Sequence, residues 1–348
     1  MLMRGGTSKG AYFLRDDVPS SRSELDDLLL RIVGSPDARQ IDGVGGAHPL
    51  TSKVAIVSRS TDAAADIDYL FLQTGVDRAF VTDQQNCGNI LAGVGPFAVE
   101  RGLLTPTGTE AKVRIRMLNT DSIATATFPI REGQPVYSGN TVIAGVPGTA
   151  AAVRIDFENT AGSSCGSLLP TGNLVDEING IAVTCIDNGM PVVVMRAADV
   201  GITGYESCAD LEADKRLRAL IESIRLDAGP RMNLGDVAAT TVPKLTMVAP
   251  PQEGGSLCTR TFIPHRCHDA IGVLGAVSVA TAALMPGSPA AGVLVPGTKG
   301  VVVVEHPTGT FDVSIDIDIS GPDVMVHRSG IIRTARKLFD GTVYPRDY

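Results

Sequence analysis

An internal duplication constrains the fold of this chain more than any other feature. Residues from about 1 to 130 and from about 180 to 320 repeat one order of elements. Each copy reads as strand, loop, strand and amphipathic helix, then a strand entered through a lysine, an extended run, and a second helix that is apolar on nearly every side. A helix without a polar face must be buried. The sequence therefore predicts two similar halves, each with its own buried helix.

The repeated elements are recognisable by their residue spacing. The segments SRSELDDLLLRIVG and LEADKRLRALIESIRL carry apolar residues at helical intervals, whereas FDVSIDIDI alternates with the period of a strand. The lysine-entered strands are TSKVAIVS at Lys53 and VPKLTMVAP at Lys244, and the apolar helices are NILAGVGPFAVERG and AIGVLGAVSVATAALM. Pro96 is expected to bend the first of these helices, because an interior proline costs about 3 kcal/mol.

The predicted fold class is α+β, with two pseudo-symmetric domains that are each a β-barrel-like sheet around a central helix. We place the domains at residues 1–179 and 180–327, and expect residues 328–348 to return to the first domain. The chain has 348 residues, 44% of them hydrophobic, with a net charge of -8. This acidic, globular composition argues against nucleic-acid and membrane partners.

Targeting and redox features are sparse. No stretch approaches the roughly 20 apolar residues that a membrane span needs, and MLMRGGTSKG lacks the apolar core of a signal peptide. We therefore expect a cytoplasmic location. The six cysteines contain no CxxC pair, so reduced thiols are expected rather than a disulfide framework or a zinc ribbon.

Cys87 lies in QQNCGNILAG, directly before the first apolar helix. The unsatisfied N–H groups of a helix N-terminus favour anions and thiolates, so Cys87 is a candidate reactive thiol at an anion site. Alternatively, Asn86 or Asn89 caps the helix and Cys87 packs as a small apolar residue. Lys53 precedes the apolar run VAIV, and partial burial there suits a general base. A solvated surface lysine is the alternative.

Two further segments concentrate polar groups. RGGTSKG is a candidate carboxylate cradle, but it does not satisfy the P-loop pattern, and we expect no nucleotide or other cofactor. HRCHD places His265, Cys267, His268 and Asp269 within five residues. Donors for a substrate carboxylate are a better interpretation of these residues than a metal site. A compatible alternative is that Asp269 caps the second apolar helix. Because GxSxG is missing, proton abstraction beside a carbonyl or carboxylate is favoured over hydrolysis.

Several motifs together resemble the PrpF family of polycarboxylate isomerases. They run nearly end to end through the chain: MRGGTSKG, SPDARQIDGVGG, LTSKVAIV, QNCGNILAGVGPFA, CIDNGMPVVV, GPRMNLGD, IPHRCHDAIGVLGAVSVATA and RTARKLFDG. The resemblance implies a fold like that of diaminopimelate epimerase, with an active site between the two central helices. Diaminopimelate epimerases place a cysteine on each side, whereas the second helix here, GVLGAVSVATA, has none. Racemisation by two thiols is therefore not expected.

The resemblance also implies roles for particular residues. Lys53 would remove a proton from a substrate methylene, and Cys87 would lie near the other end of the allylic system, either as proton donor or only as a group that shapes the site. The residues implied to hold substrate carboxylates are Arg4, Gly6, Thr7, Ser8, Lys9, Ser52, Asn86, Gly88 and Asn89 in the first half and Asn188, Lys244 and His265 in the second.

The implied substrate is a small unsaturated tricarboxylate, with 4-oxalomesaconate of gallate and protocatechuate degradation favoured. Aconitate, 2-methylaconitate and methylitaconate are alternatives in the same family. A non-catalytic tricarboxylate-binding protein and a metal-dependent lyase using HRCHD are the alternatives in other classes. The sequence leaves the oligomeric state open, with a homo-oligomer as one possibility. Relatives are expected to have about ten more residues before MLMRGG, so Met1 could be a late start, in which case the first domain would lack an edge strand.

Overall fold

A computed structural model describes residues 1–84, 86–321 and 324–347. These residues pack as two compact units, of which unit 1 is Met1–Asp156 with Ile332–Tyr348 and unit 2 is Phe157–Ile331. The boundaries predicted from sequence were residues 179/180 and 327/328. The segment 157–179 lies in unit 2, where its strand Asp176–Ile178 pairs with Ile181–Asp187.

Eight strands of unit 1 form a closed ring. The strands of this unit are β1 (Leu2–Gly5), β2 (Ser8–Leu14), β3 (Lys53–Arg59), β4 (Ile67–Thr74), β5 (Val81–Thr82), β6 (Glu110–Met117), β7 (Ser122–Arg131), β8 (Gln134–Pro135) and β9 (Ala152–Phe157). The ring consists of β1, β2, β3, β4, β6, β7, β9 and the last strand of the chain, Met325–Phe339, which closes it by pairing with both β1 and β9. Strand β1 is thus paired on both sides, with β2 and with this last strand.

Unit 2 is built from its own set of strands. They are β10 (Asp176–Ile178), β11 (Ile181–Asp187), β12 (Pro191–Arg196), β13 (Lys244–Ala249), β14 (Leu257–Ile263), β15 (Arg266–Cys267), β16 (Val301–His306), β17 (Gly309–Asp318) and β18 (Met325–Phe339), of which β18 pairs with β17 here. The helices of the chain are α1 (Arg22–Val33) and α2 (Gly88–Glu100) in unit 1, and α3 (Cys208–Ala213), α4 (Lys215–Arg231) and α5 (Val273–Ala283) in unit 2.

The strand pairings confirm the duplication read from the sequence. β2 runs parallel to β3, β3 antiparallel to β4, and β4 parallel to β6; in the same order β12 runs parallel to β13, β13 antiparallel to β14, and β14 parallel to β16. The lysine that opens β3 and the lysine that opens β13 therefore occupy equivalent places, as do α2 and α5.

The two apolar helices are the centres of their units. Helix α2 contacts strands β1, β2, β3, β4, β6 and β7, and helix α5 contacts β11, β12, β16 and β17. Close approach depends on small residues: a Cβ on Gly93 would lie 2.5 Å from the hydroxyl of Tyr12. The predicted helix is continuous through Pro96. The predicted α+β class, with two similar domains built around central helices, is confirmed.

No helix in the described part of the chain combines the length and the apolarity that crossing a membrane would require.

Candidate active site

The segment RGGTSKG forms a tight hairpin rather than a loop. Strands β1 and β2 pair through Gly5 and Ser8, which leaves only Gly6 and Thr7 in the turn. Gly6 has φ +52°, a conformation that glycine adopts without the strain of a side chain. The cradle predicted from this segment is therefore smaller than its seven residues suggested, because most of its backbone N–H groups belong to the sheet.

Lys53 opens β3 in a rigid setting. Its backbone pairs with Gly10 of β2 and Gln73 of β4, and a Cβ on Gly10 would lie 2.5 Å from the Lys53 carbonyl oxygen. The side chain of Gln73 donates to the Ser52 carbonyl at 3.0 Å, which fixes the chain just before Lys53. The lysine side chain is only 9% exposed, and the Phe71 ring lies 5.7 Å from Nζ.

Lys53 and Cys87 meet directly inside unit 1. Lys53 Nζ donates to Cys87 Sγ at 3.2 Å, and Cys87 is also 9% exposed. The pairing joins the start of a strand to the N-cap position of helix α2, which Cys87 occupies with an extended φ of -131°. An amine and a thiol in hydrogen-bond contact, largely shielded from water, are the groups that a proton transfer needs.

Helix α2 presents an anion-binding end at the same point. Its first backbone hydrogen bond runs from the Leu91 N–H to the Cys87 carbonyl, so the N–H groups of Gly88 and Asn89 have no partner within the helix. Ser8, 1% exposed, has a hydroxyl without a hydrogen-bond partner among the described residues. Uncommitted donors beside the positive end of a helix favour a carboxylate.

Asn89 and the hairpin turn lie against each other. Asn89 Nδ2 donates to Thr7 Oγ1 at 3.1 Å, and a Cβ on Gly6 would lie 2.1 Å from Asn89 Oδ1. Asn89 Oδ1 is buried and accepts no hydrogen bond from the described residues. The predicted residues Gly6, Thr7, Ser8 and Asn89 are thus brought together around the start of α2, and neither Asn89 nor Asn86 caps the helix.

Other predicted residues of unit 1 use their side chains for contacts within the protein. Arg4 donates to the carbonyls of Gly6 and Thr334 and to the Thr334 hydroxyl. The hydroxyl of Ser52 donates to Gln40 and to the His48 carbonyl. Asn86 Nδ2 donates to Thr120 Oγ1 at 2.6 Å, while its Oδ1 is buried without a partner among described residues. The Lys9 side chain ends beside Gly46: a Cβ added to that glycine would lie 3.3 Å from Lys9 Nζ.

In unit 2, Lys244 is the counterpart of Lys53, but its surroundings differ. Burial lowers the pKa of Lys244 to about 8, and within the described residues no carboxylate lies within ion-pair distance of it. Burial, followed by the positive charge of Lys244, lowers the pKa of His268. His268 Nδ1 accepts from the Ala270 N–H at 2.9 Å, so a neutral ring carries its proton on Nε2. Lys244 and His268 together are a candidate carboxylate site of unit 2.

From the same segment, His265 rather than His268 was predicted to hold a substrate carboxylate. His265 is 59% exposed and lies 3.9 Å from Glu222, where it lines a surface cavity of about 240 Å³ with residues of α4. Asn188 is fully buried, and its amide is used inside unit 2: Nδ2 donates to Thr281 and Ser329, and Oδ1 accepts from Thr160. The amide donors of Asn188 are thus used within unit 2, next to the end of β11, and are not free for a substrate.

The HRCHD segment is split by its own geometry. Arg266 and Cys267 form the short strand β15, and the chain then turns before α5 begins at Val273 with Gly272 as its N-cap. Asp269 therefore does not cap the helix, contrary to expectation. Across residues 1–84, 86–321 and 324–347, no group of three or more histidine, cysteine or carboxylate side chains converges on a point that could hold a metal ion.

Comparison with known proteins assigns the chain to a family. The PrpF protein family matches residues 1–346. This chain belongs to the PrpF family. It is 58% identical over 346 residues to a (4E)-oxalomesaconate Delta-isomerase of Novosphingobium sp. (strain KA1), an alignment that covers 99% of this chain and 96% of the relative.

Two further relatives extend the comparison. A 4-oxalomesaconate tautomerase of Pseudomonas putida (strain KT2440) is 56% identical over 345 residues, covering 99% of this chain and 94% of the relative. Among solved structures, the crystal structure of methylitaconate-delta-isomerase is 33% identical with a TM-score of 0.87, covering 99% of this chain and 94% of that one. The predicted family is thus confirmed, and its named members are isomerases.

Proposed function

We propose that this PrpF protein is a 4-oxalomesaconate tautomerase or Delta-isomerase that shifts a proton along its substrate without a cofactor. The observation that carries the proposal is the 3.2 Å contact between Lys53 Nζ and Cys87 Sγ, nine-tenths buried at the start of α2. Relatives named for this substrate, at 58% and 56% identity over nearly the whole chain, support the choice of substrate.

The chemistry follows from the two side chains. Lys53, acting as the base, takes a proton from the methylene carbon beside the ketone, and the electron pair of that C–H bond moves onto the carbonyl oxygen. Protonation of this oxygen gives the enol, whereas protonation at the far carbon of the conjugated system moves the double bond. The proton held by Lys53 or that of the Cys87 thiol completes either outcome, so no atom or electron is needed from outside.

Substrate carboxylates are proposed to bind at the N-terminus of α2 and at Lys244 with His268. In unit 1, one carboxylate would accept from the N–H groups of Gly88 and Asn89 and from the hydroxyl of Ser8. In unit 2, Lys244 and the Nε2–H of His268 supply a cation and a neutral donor. Charge-assisted hydrogen bonds of this kind contribute about 1.5–3 kcal/mol each, so removal of one weakens substrate binding without removing the base.

A substrate panel tests the proposal. The purified protein is assayed by ultraviolet absorbance with 4-oxalomesaconate, cis- and trans-aconitate, 2-methylaconitate and methylitaconate. We expect the highest kcat/KM with 4-oxalomesaconate, and its loss in Lys53→Met. Turnover of 4-oxalomesaconate by Lys53→Met at the wild-type rate would refute the assignment of the base.

A second candidate is an isomerase of methylitaconate or 2-methylaconitate. It is favoured by the match to the methylitaconate-delta-isomerase structure and by a 2-methyl-aconitate isomerase of Shewanella oneidensis (strain MR-1) at 37% identity. The same Lys53 and Cys87 pair serves either reaction, because the substrates differ in the group beyond the allylic carbons. A higher kcat/KM for one of these substrates in the panel would select this candidate.

A further inference from the structure

Unit 2 holds a pair of thiols that the proposed reaction does not use. Cys208 opens helix α3 and Cys267 ends strand β15. Both sulfur atoms point to the carbonyl oxygen of His268, at 3.6 Å from Cys208 Sγ and 4.0 Å from Cys267 Sγ. Two residues that are 59 positions apart in sequence (267 minus 208) therefore place their thiols on one atom.

The two thiols influence each other, and their elements are held together. An interaction between the side chains of Cys208 and Cys267 contributes to the pKa of each thiol. The backbone N–H of Cys267 donates to Glu212 Oε1 at 3.0 Å, which ties β15 to the last turn of α3. The side chain of Ser207 accepts from the Asp210 N–H and fixes the start of the same helix. Hydrogen bonds on both sides thus hold the two thiols beside the His268 carbonyl.

The thiols differ in exposure and acidity. Cys208 is partly exposed, whereas Cys267 is buried. Burial raises the pKa of Cys267, and the interaction with Cys208 raises it further; burial also raises the pKa of Cys208, but there the interaction with Cys267 opposes the rise. Cys208 is therefore the thiol that ionises first and that a dissolved reagent can reach.

We propose that Cys208 and Cys267 are a modification site that forms a reversible intramolecular disulfide with a small disulfide such as oxidised glutathione. The Cys208 thiolate attacks one glutathione sulfur, so the Cys208–glutathione bond forms and one glutathione thiolate leaves. The Cys267 thiolate then attacks Cys208 Sγ and releases the second glutathione. Two cysteine thiols are oxidised, one glutathione disulfide is reduced to two thiols, and the two protons pass to the glutathione molecules.

The disulfide would alter the segment that follows β15. Bond formation removes both S–H donors from the His268 carbonyl. His268 is also tied to its neighbours by its N–H to the Thr261 carbonyl and by the Ala270 N–H to its ring, so a shift of its backbone moves the ring. Because His268 lies within the electrostatic influence of Lys244, oxidation is expected to weaken the second carboxylate site. This consequence, unlike the disulfide itself, rests on the proposed function.

Peptide mapping tests the disulfide. The reduced full-length protein is incubated with oxidised glutathione, free thiols are alkylated, and the protein is digested with trypsin without reduction. Cleavage after Arg196, Lys215, Arg266 and Lys299 places Cys208 and Cys267 as single cysteines in peptides 197–215 and 267–299. We expect one species at the summed mass of these peptides less two hydrogens, absent after treatment with dithiothreitol. Recovery of both peptides alkylated, or of stable glutathione on Cys208 without a cross-link, would overturn the proposal.

Matched variants separate the pair from other thiols. Cys258 is a buried cysteine of the same unit whose sulfur also contacts a backbone carbonyl, that of Gly204 at 3.5 Å. The cross-link is expected to persist in Cys258→Ala and to vanish in Cys208→Ser and in Cys267→Ser. A cross-link that vanishes in Cys258→Ala, or one that survives in Cys208→Ser with another partner, would contradict the assignment.

Activity provides the second readout. Oxidised wild type is expected to show a KM raised about fivefold or more and restored by dithiothreitol, while Cys208→Ser and Cys267→Ser under the same treatment keep their KM. An equal response of wild type and both variants would assign the effect to another thiol, such as Cys87, and would refute the regulatory consequence. If the protein turned over none of the tested substrates, the peptide map would still decide whether the disulfide forms.

Discussion

The two units share one topology but differ at the two positions where chemistry is possible. In unit 1 the lysine that opens β3 contacts a cysteine at the N-cap of the central helix, whereas in unit 2 the N-cap of the central helix is Gly272, which has no side chain. Without a thiol, Lys244 has no proton-transfer partner of that kind. The duplicated topology thus repeats the position of the lysine but not its pairing with a thiol, which is seen at Lys53.

Burial of the two lysines has different consequences. Lys53 lies against the ring of Phe71 and the sulfur of Cys87. For Lys244, burial alone lowers the pKa to about 8, and His268 is its titratable neighbour. These differences support the proposal that Lys53 abstracts the proton and that Lys244 binds a carboxylate.

The largest expected effect separates the two lysines. Lys53→Met should lower kcat roughly 10³-fold, the magnitude typical of a lost general base, because methionine fills the space without a proton acceptor. Steady-state kinetics measure it. Lys244→Met is the matched control, and a kcat equally reduced in both variants would show that the units are not functionally distinct.

Cys87→Ser tests the residue that unit 2 lacks. A hydroxyl is a much weaker acid than a thiol, so we expect kcat to fall about 10²-fold if the thiol transfers a proton. Circular dichroism and thermal unfolding check that the variant is folded. A kcat within twofold of wild type would leave Cys87 as a residue that only shapes the site.

Lys244→Met sharpens the role of unit 2. Loss of one charge-assisted hydrogen bond is expected to raise KM roughly 10- to 100-fold, with kcat changed only severalfold. The readout is the ratio of the effect on KM to the effect on kcat. A fall in kcat with an unchanged KM would be incompatible with a carboxylate-binding role.

The pH dependence of KM follows from the pKa of Lys244. Lys244 is charged below about pH 8 and neutral above it, so the attraction for a substrate carboxylate is present below that pH and is lost as the pH rises through it. We expect KM to increase above pH 8 in the wild type and this limb to be absent in Lys244→Met. A limb that persists in the variant belongs to another group.

The smallest expected effects come from two glycines, Gly6 in the β1–β2 turn and Gly272 at the N-cap of α5. Gly6→Ala combines a positive φ with a Cβ placed 2.1 Å from Asn89 Oδ1, whereas a Cβ on Gly272 meets nothing within 4 Å. Gly6→Ala is expected to reduce the free energy of unfolding by about 1–3 kcal/mol and to raise KM severalfold, while Gly272→Ala leaves both nearly unchanged. Denaturant unfolding and kinetics measure the pair, and equal stability of the two variants would contradict the close contact seen at Gly6.

Part of this organisation could be predicted from sequence for physical reasons. Helices α2 and α5 are apolar on all sides, and burial is the only state open to them in water. The two lysines were found because each precedes an apolar strand. The likeness to PrpF sequences, rather than the spacing alone, brought Lys53 and Cys87 together.

The rest depends on contacts between distant residues. Asn188 was expected to hold substrate, but its amide is used by Thr160, Thr281 and Ser329, and nothing local in the sequence shows those partners. His265 was chosen over His268 because a two-residue strand and a turn between them cannot be read from HRCHD. RGGTSKG was expected to cradle a carboxylate with its seven residues. The strand pairing that leaves only Gly6 and Thr7 in the turn cannot be read from two adjacent glycines.

Deuterium exchange in heavy water is a direct test of proton abstraction by Lys53, since it follows the transferred proton itself. The account predicts that wild-type protein incorporates deuterium at the substrate methylene, seen as loss of its ¹H NMR signal, and that Lys53→Met binds the substrate without exchange while Lys244→Met exchanges at saturating substrate. Rapid exchange by Lys53→Met, or binding without any exchange by the wild type, would contradict it.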